Sequence, residues 1–289
     1  MDISVVIVSW NVKEQLRENL KALYASQVKF SWEVFVVDNA SEDGSQEMLK
    51  EFFPGVKLIA NDSNLGFAKA NNIAIRQAQG RFILLLNPDM RLQTDTLEKM
   101  LDFMANKKSA VVAGARLLDR EGKVLPQVRN FPTFWDQALV ILKLPHLFPG
   151  LLSKYLQKNF DYSQASKVAS IRGSFFLIDR LAYQAISGQD KPLLDERYFV
   201  WFEEVDFCRQ VYKLGGEVWY NPEATALDLV GQSFKQIGIG RTQSYFQSSM
   251  LAYFQKWEPA WQYRVLSCLW PLGSFLAKLY TVGKKILAK

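Results

Sequence analysis

Histidine is almost missing from this chain: His146, in KLPHLFPG, stands alone among 289 residues. That excludes Ser-His-Asp and Cys-His hydrolases of the usual kind, and every metal centre that needs two imidazoles. His146 lies between two prolines in an apolar stretch and reads as structural. Cysteine is scarce too. Cys208 and Cys268 form no CxxC pair, no zinc-finger spacing and no disulfide framework, which points to a reduced, cytoplasmic setting. No glycine-rich loop follows the first apolar run, which argues against a dinucleotide-binding dehydrogenase and against a nucleotidylyltransferase. The one G-x-G, at 238–240, lies late and lacks the third glycine. The opening MDISVVIVSW has no basic region and does not read as a signal peptide. Acidic residues stop at Glu258, whereas Arg264, Lys278, Lys284, Lys285 and Lys289 follow it. The net charge of +6 raises nucleic acid, an anionic membrane or a phosphorylated substrate as partners. No recognised nucleic-acid module is present, so nucleic acid is not expected.

What the sequence has is a regular alternation. Apolar runs at 3–8, 34–37, 56–59, 82–86 and 111–113 read as strands, with helical patterns at 12–25, 45–53, 67–78 and 94–106 between them. This predicts an α/β fold with a mainly parallel sheet flanked by helices. Four polar clusters share one position, the carboxyl end of a strand: Ser9-Trp10-Asn11, DNASEDGS (38–45), NDSNLGFAKANN (61–72) and Asn87-Pro88-Asp89. That edge is where open α/β sheets bind ligands. Asn, Pro and Asp are also ordinary turn formers, so Asp89 is either a turn residue or a carboxylate held at a pocket rim. The convergence of four clusters favours the pocket. Further on, GSFFLIDR (173–180) reads as another strand, and Glu203, Glu204 and Asp206 open a helix that ends near Gly215. Acids in a first turn complement the helix dipole. Two adjacent carboxylates among Trp201, Phe202 and Phe207 also make a usable base, because apolar surroundings raise a carboxyl pKa.

SVVIVSWN, VVDNASEDGS, NLGFAKANN, LLLNPD and FVWFEEVDFC, in this order, resemble the family 2 inverting glycosyltransferases of the GT-A fold. RNFPTFW (129–135) and GSFFLIDR resemble its rhamnosyltransferase-like branch, and the match covers about 2–233. The resemblance implies a Rossmann-like sheet with a mixed acceptor-side half. It also implies that Ser9, Asn11 and Asp38 line the nucleobase and ribose pocket, with Asn64, Gly66 and Asn71 closing over the nucleotide. Asp89 would be the metal-binding carboxylate of the Asp-x-Asp motif, holding Mg²⁺ or Mn²⁺ against the diphosphate. Glu204 would be the catalytic base, with Glu203 in reserve. Three positions depart from the family pattern. Asn87 replaces the first aspartate of the metal motif, where an amide can still reach the ribose. Glu204 stands where Asp is usual, and Asp228, in LDLVGQS, stands where a metal-binding histidine is usual.

The expected organisation is a glycosyltransferase domain at 1–233, nucleotide-binding over 1–118 and acceptor-side over 119–233. A helical, basic extension occupies 234–289. The expected activity is inverting transfer of a sugar, first of all rhamnose, from a dTDP- or UDP-linked donor. The acceptor is a glycan or a lipid-linked hydroxyl in cell-envelope polysaccharide synthesis. The alternative is a catalytically silent nucleotide-sugar-binding subunit, motivated by the substitutions at 204 and 228. Residues 265–277 are apolar but broken by Pro271 and Gly273, and are too few to span a bilayer of roughly 30 Å. With Trp270 and the lysines that follow, they suit either the inner membrane surface or a terminal helix packed on its own domain.

Overall fold

The computed structural model describes residues 1–26, 29–229 and 238–287, with the side chains of 239, 274 and 276–287 excepted. The first half follows the predicted alternation. Strand β1 (Ile3–Ser9) leads to helix α1 (Lys13–Tyr24), β2 (Trp32–Asp38) to α2 (Ser45–Phe52), and β3 (Lys57–Ala60) to α3 (Phe67–Gln77). Strands β4 (Phe82–Leu86) and β5 (Met90–Leu92) precede α4 (Thr96–Asn106) and β6 (Ala110–Leu118). The irregular middle contains β7 (Val128–Arg129), α5 (Phe134–Ile141), β8 (Ser166–Lys167) and β9 (Ser170–Ile171). The chain continues with β10 (Phe175–Asp179), α6 (Arg180–Ser187), α7 (Glu203–Lys213), β11 (Glu217–Asp228), α8 (Ile239–Trp257) and α9 (Ala260–Leu287).

The principal sheet has the order β3-β2-β1-β4-β10-β6-β11-β5, with β8 on β11. Its first four strands are parallel, as the runs predict. Beyond β4 the sheet is mixed: β10 lies antiparallel between β4 and β6, β11 is parallel to β6, and β5 is antiparallel to β11. Strands β10 and β11 come from beyond residue 118, so the segments 1–118 and 119–233 share one sheet. Residues 224–227, just before Asp228, are the end of the long strand β11. Pro222 lies within β11 beside a register shift between Asn221 and Thr225, as a residue with no N–H to give the ladder requires.

The apolar runs are continuous because both faces of the sheet are covered. Along β1, Ile3, Val5 and Ile7 pack with Leu16, Leu20 and Leu23 of α1, while Val6 joins Ala70 and Ala74 of α3 on the other face. Each such aliphatic side chain contributes about 1.5–3 kcal/mol when buried. A third core joins Ala138 and Ile141 of α5 to Met250, Tyr253 and Phe254 of α8 and Leu266 of α9. The tail therefore packs on its own domain at least as far as Gly273, whose missing side chain lets the backbone approach Ile141 O: a Cβ there would lie 2.3 Å from that oxygen. Along α9 the opposite face leaves Trp261, Val265, Leu272 and Phe275 exposed. Among the described residues, no helix is long and apolar enough to cross a membrane. His146 sits in a short exposed 3₁₀ turn, as its flanking prolines suggest.

Asp206, in the first turn of α7, has a structural task. Its buried carboxylate accepts from Lys256 Nζ (2.7 Å) and Trp257 Nε1 (2.6 Å) of α8 and from Tyr198 Oη (3.0 Å). Complementing a helix dipole is only part of its role. Removing it leaves the Trp257 indole N–H and the Tyr198 hydroxyl without their acceptor and Lys256 with Asp195 alone, so Asp206→Ala should lose about 3 kcal/mol in chemical denaturation. A loss under about 1 kcal/mol would show that α8 is held by its apolar contacts alone.

Candidate active site

The NPD segment is both a turn and a rim. Met90 N donates to Asn87 O (3.2 Å), closing the turn, and Asn87 N donates to Ser174 O (2.9 Å). Beneath it, buried Asn19 donates from Nδ2 to Asn87 O (3.1 Å) and Met90 O (2.9 Å). Met90 pairs across the ladder with Asp228, and Leu229 N donates to Asp89 O (3.2 Å). The antiparallel joining of β5 to β11 thus brings Asp89 and Asp228, 139 positions apart, to the wall of one cleft of about 420 Å³.

Asn64, Gly66, Asn87, Asp89, Glu203, Glu204 and Asp228 all line this cleft. Ser9, Asn11, Asp38 and Asn71 do not appear on its wall. Asn11 Oδ1 accepts from Glu42 N (2.8 Å), and Asp38 Oδ2 accepts from Ser41 N (3.0 Å) and Gln46 Nε2 (2.8 Å). Asn71 donates back to Phe67 O of its own helix (2.8 Å). Ser9 and Asp38 pair at the ends of β1 and β2, and Ser9 Oγ and Asp38 Oδ1 are buried without a hydrogen-bond partner.

Sequence reasoning missed Asn39, Trp10, Arg172 and Trp201. Asn39 organises the third cluster: its Nδ2 donates to Asn64 Oδ1 and Gly66 O (both 3.3 Å), and its Oδ1 accepts from Asn61 Nδ2 (2.9 Å). Gly66, at φ +81°, must be glycine because a Cβ would lie 2.3 Å from Phe199 O. Arg172 lies just before GSFFLIDR, and its Nη1 stands 3.5 Å from Asp228 Oδ2. An unassigned arginine just before a strand that starts at the ligand edge is the available signal.

Glu203 and Glu204 enter the cleft from the opposite side, at the start of α7. The two residues before them, Trp201 (φ +65°) and Phe202 (φ +71°), are both in the left-handed region, unusual for large side chains. That backbone turns the helix start towards the strand ends. Burial raises the Glu203 carboxyl well above its ordinary value, and the neighbouring Glu204 charge adds to the rise. Burial also raises Glu204, but there the Arg129 and Arg172 guanidiniums pull in the other direction. Glu204 is therefore the member of the pair better able to carry charge.

The donor set fits a hard divalent cation. Asp89, in the turn just before β5, and Asp228, at the end of the adjacent β11, are both buried carboxylate residues. Among the described residues no cluster of three ligating side chains exists, so phosphate oxygens would have to complete the shell. Arg172 competes for Asp228 and supplies positive charge of its own.

The model of glycosyl transferase family 2 matches residues 4–186, which run from β1 through β10 to near the end of α6. The chain belongs to this family. Among curated relatives, the N-acetylglucosaminyl-diphospho-decaprenol L-rhamnosyltransferase of Mycobacterium tuberculosis is 27% identical over 207 residues, covering 67% of this chain and 65% of the relative. The chain thus spans just under two thirds of that protein. The rhamnosyltransferase WbbL of Escherichia coli K12 is 25% identical over 234 residues, covering 78% of this chain and 82% of the relative. Solved structures share the fold: Staphylococcus aureus TarS 1–349 in complex with UDP-GlcNAc has a TM-score of 0.56 at 16% identity, covering 93% of this chain and 71% of that one. The mannosyltransferase PcManGT of Pyrobaculum calidifontis, in complex with GDP-Man and Mn²⁺, has a TM-score of 0.56 at 15% identity, covering 99% and 80%. These likenesses establish a GT-A glycosyltransferase architecture with rhamnosyltransferase-like relatives.

A raised carboxyl pKa links the site to stability. Glu203 is raised in the fold, so its contribution is fully present below the ordinary glutamate value and is lost as pH rises through the raised one. Glu203→Gln should therefore be more stable than the parent at pH 8, with the gap closing towards pH 4. Equal stability of the two proteins across that range, by thermal unfolding, would show that Glu203 ionises without penalty.

Proposed function

We propose that this chain transfers a sugar, with rhamnose the first candidate, from a dTDP- or UDP-linked donor to a hydroxyl of a glycan or lipid-linked acceptor, inverting the anomeric carbon. The process served is cell-envelope polysaccharide synthesis. The observation that carries the reading is one cleft whose lining brings strand-end amides and carboxylates together with the buried Glu203 and its neighbour Glu204. Asn39, Asn64 and Asn87 supply polar contacts for the nucleotide sugar. The unpartnered Ser9 Oγ and Asp38 Oδ1 sit at paired strand ends behind them, as polar atoms awaiting a nucleobase or ribose would. Asp89 and Asp228 would hold Mg²⁺ or Mn²⁺, which when bound neutralises charge on the leaving diphosphate. Glu204 takes the proton of the acceptor hydroxyl as its oxygen bonds to the anomeric carbon. The bond from that carbon to the diphosphate oxygen breaks, and the nucleoside diphosphate leaves with the electron pair. The names of the mycobacterial and E. coli relatives support rhamnose, and that of the mycobacterial relative supports a lipid-linked acceptor. In this reading 1–233 is the catalytic domain, divided into nucleotide (1–118) and acceptor (119–233) halves, and 234–289 is the extension that meets the cytoplasmic face of the membrane.

Donor affinity and transfer should separate cleanly in three variants. Glu204→Gln should keep the donor bound but lower transfer about 100- to 10,000-fold, since the amide keeps the shape and loses the base. Asp89→Ala should lose the metal-dependent part of donor binding, and Asp228→Ala should weaken it. Calorimetry with dTDP-rhamnose and UDP-sugars, with and without Mn²⁺ or Mg²⁺, reads the binding. Full transfer by Glu204→Gln would remove it as the base, and binding without turnover on any acceptor would favour a silent subunit.

The exposed stripe on α9 gives a second test. Full-length protein should cosediment with anionic vesicles at low salt and release as salt screens the attraction. The double change Trp261→Glu and Phe275→Glu should abolish that binding without altering the thermal midpoint. Equal cosedimentation of variant and parent would exclude α9 as the contact.

A further inference from the structure

A two-stranded ladder beside the cleft decides where two arginines stand. Strands β7 and β9 pair Val128 with Ile171 and Arg129 with Ser170, and one step further Arg172 N donates to Gln127 O (3.1 Å). Side chains alternate across such a ladder, so Gln127, Arg129, Ser170 and Arg172 share one face. The alternate pair, Val128 and Ile171, is buried in the second core. Tyr162 Oη fixes the ladder by accepting from Gln127 N (2.9 Å) and Val128 N (3.1 Å), and Gln127 Nε2 donates to Ala115 O of β6 (2.5 Å). All four residues of the polar face line a second cavity, of about 300 Å³, which shares Arg172, Trp201 and Glu204 with the cleft.

Arg129 and Arg172 are diagonal neighbours on that face, close enough for long side chains to interact. Two guanidiniums so placed repel each other unless an anion lies near both. Glu204 is the sole carboxylate among the described residues that line the cavity. Arg172 is divided, because its Nη1 also stands 3.5 Å from Asp228 Oδ2 in the cleft. Arg129 reaches only the second cavity, where burial keeps the Tyr155 hydroxyl beside it neutral. Glu204 Oε2 is itself buried without a hydrogen-bond partner. The guanidiniums therefore act on this oxygen through charge and not through a bond. A direct bond would occupy the lone pair that a base offers to a hydroxyl. Charge acting across a sheltered cavity favours the anion and leaves the oxygen open.

We propose that Arg129 is a positioning residue for Glu204: the β7–β9 ladder holds its charge across the cavity, so that Glu204 stays an anion with Oε2 open to the acceptor hydroxyl. The catalytic part of this role rests on Glu204 being the base; the pairing of the two charges does not. Other groups bear on Glu204 as well. Glu203 and Asp206 on its own helix, and Asp89 and Asp228 elsewhere in the cleft, disfavour a further negative charge. Cys208, one turn along α7, stays a neutral thiol because burial raises it. Arg129 and Arg172 are the cations that oppose the acids.

The first test needs neither donor nor acceptor. Full-length parent, Arg129→Gln, Glu204→Gln and the double variant are unfolded by heat in low salt at pH 8 and at pH 4. Burial disfavours ionised Glu204 and Arg129 offsets part of that cost. The contribution of Arg129 is therefore present above the folded Glu204 value and lost as pH falls through it. At pH 8, Arg129→Gln should lower the midpoint by more in the parent than in the Glu204→Gln background; at pH 4 the two losses should be equal. Equal losses at pH 8 would overturn the pairing.

The second test reads dTDP release from dTDP-rhamnose across pH. Arg129→Gln should move the acid limb of the rate upward by about one pH unit, a loss of about tenfold below that limb, with donor affinity unchanged. Arg129→Lys keeps the charge and should keep the parent's limb. A merely structural loss would lower the rate at every pH. An unmoved limb in Arg129→Gln, or the same shift in Arg129→Lys, overturns the positioning role. A parent that releases no dTDP counts against Glu204 as base, and the unfolding cycle then decides the pairing by itself.

Discussion

A single buried carboxylate, Asp206, ties together the parts that meet at the cleft. It sits in α7, receives Lys256 and Trp257 from α8, and receives Tyr198 from the loop before α7. That loop reaches in both directions. Phe199 O accepts from Phe67 N at the start of α3 (2.6 Å), and Val200 O accepts from Ser249 Oγ of α8 (2.8 Å). The nucleotide-side helix, the glutamate pair and the C-terminal helices are thus referred to one ionic network. A charge removed from water must be fully bonded or it destabilises the fold, and this one is. Lys256 extends the network to Asp195 (3.0 Å), whose carboxyl is held low by Arg197 and Lys256 despite the opposing effect of burial.

With that frame set, the site separates its charges by environment. Glu203 and Glu204 are adjacent in sequence, yet only Glu204 has guanidiniums acting to favour its ionised form. Across the cleft, Asp89 and Asp228 are kept near each other by backbone pairing, and Arg172 offsets part of their charge. The left-handed pair at Trp201 and Phe202 is tolerated because Phe202 is buried against Phe246 and Tyr253, which over-determine its position. Local strain at 201 and 202 is therefore held by the third core, the one built from α5, α8 and α9.

Much of this was legible beforehand. The parallel strands were written in runs such as ISVVIV and FILLL, and the loops that follow them announced themselves as polar and glycine-bearing. Asp89 and Glu204, which lie in ordered motifs, both line the cleft. Asn11, Asp38 and Asn71 carry the same kind of signal; the side chains of Asn11 and Asp38 bond within the loops after β1 and β2 and into α2, and that of Asn71 bonds within α3. Asn39 stands next to Asp38 in the same motif, and only the twist of the loop decides which of the two reaches the cleft. The short strands β5, β7, β8 and β9 had no periodicity long enough to read.

The sequence by itself determined the α/β alternation, the ligand edge of the sheet and the identity of the chemical groups there, because those follow from local apolar runs and from what stops them. Tertiary structure alone decided that β10 enters antiparallel between β4 and β6, that β5 pairs with β11 so that Asp228 stands beside Asp89, and that Arg129 and Arg172 gather at Glu204. These depend on contacts between residues tens to more than a hundred positions apart. No local pattern encodes such contacts: they are selected by burying both faces of one sheet while leaving each buried charge a partner.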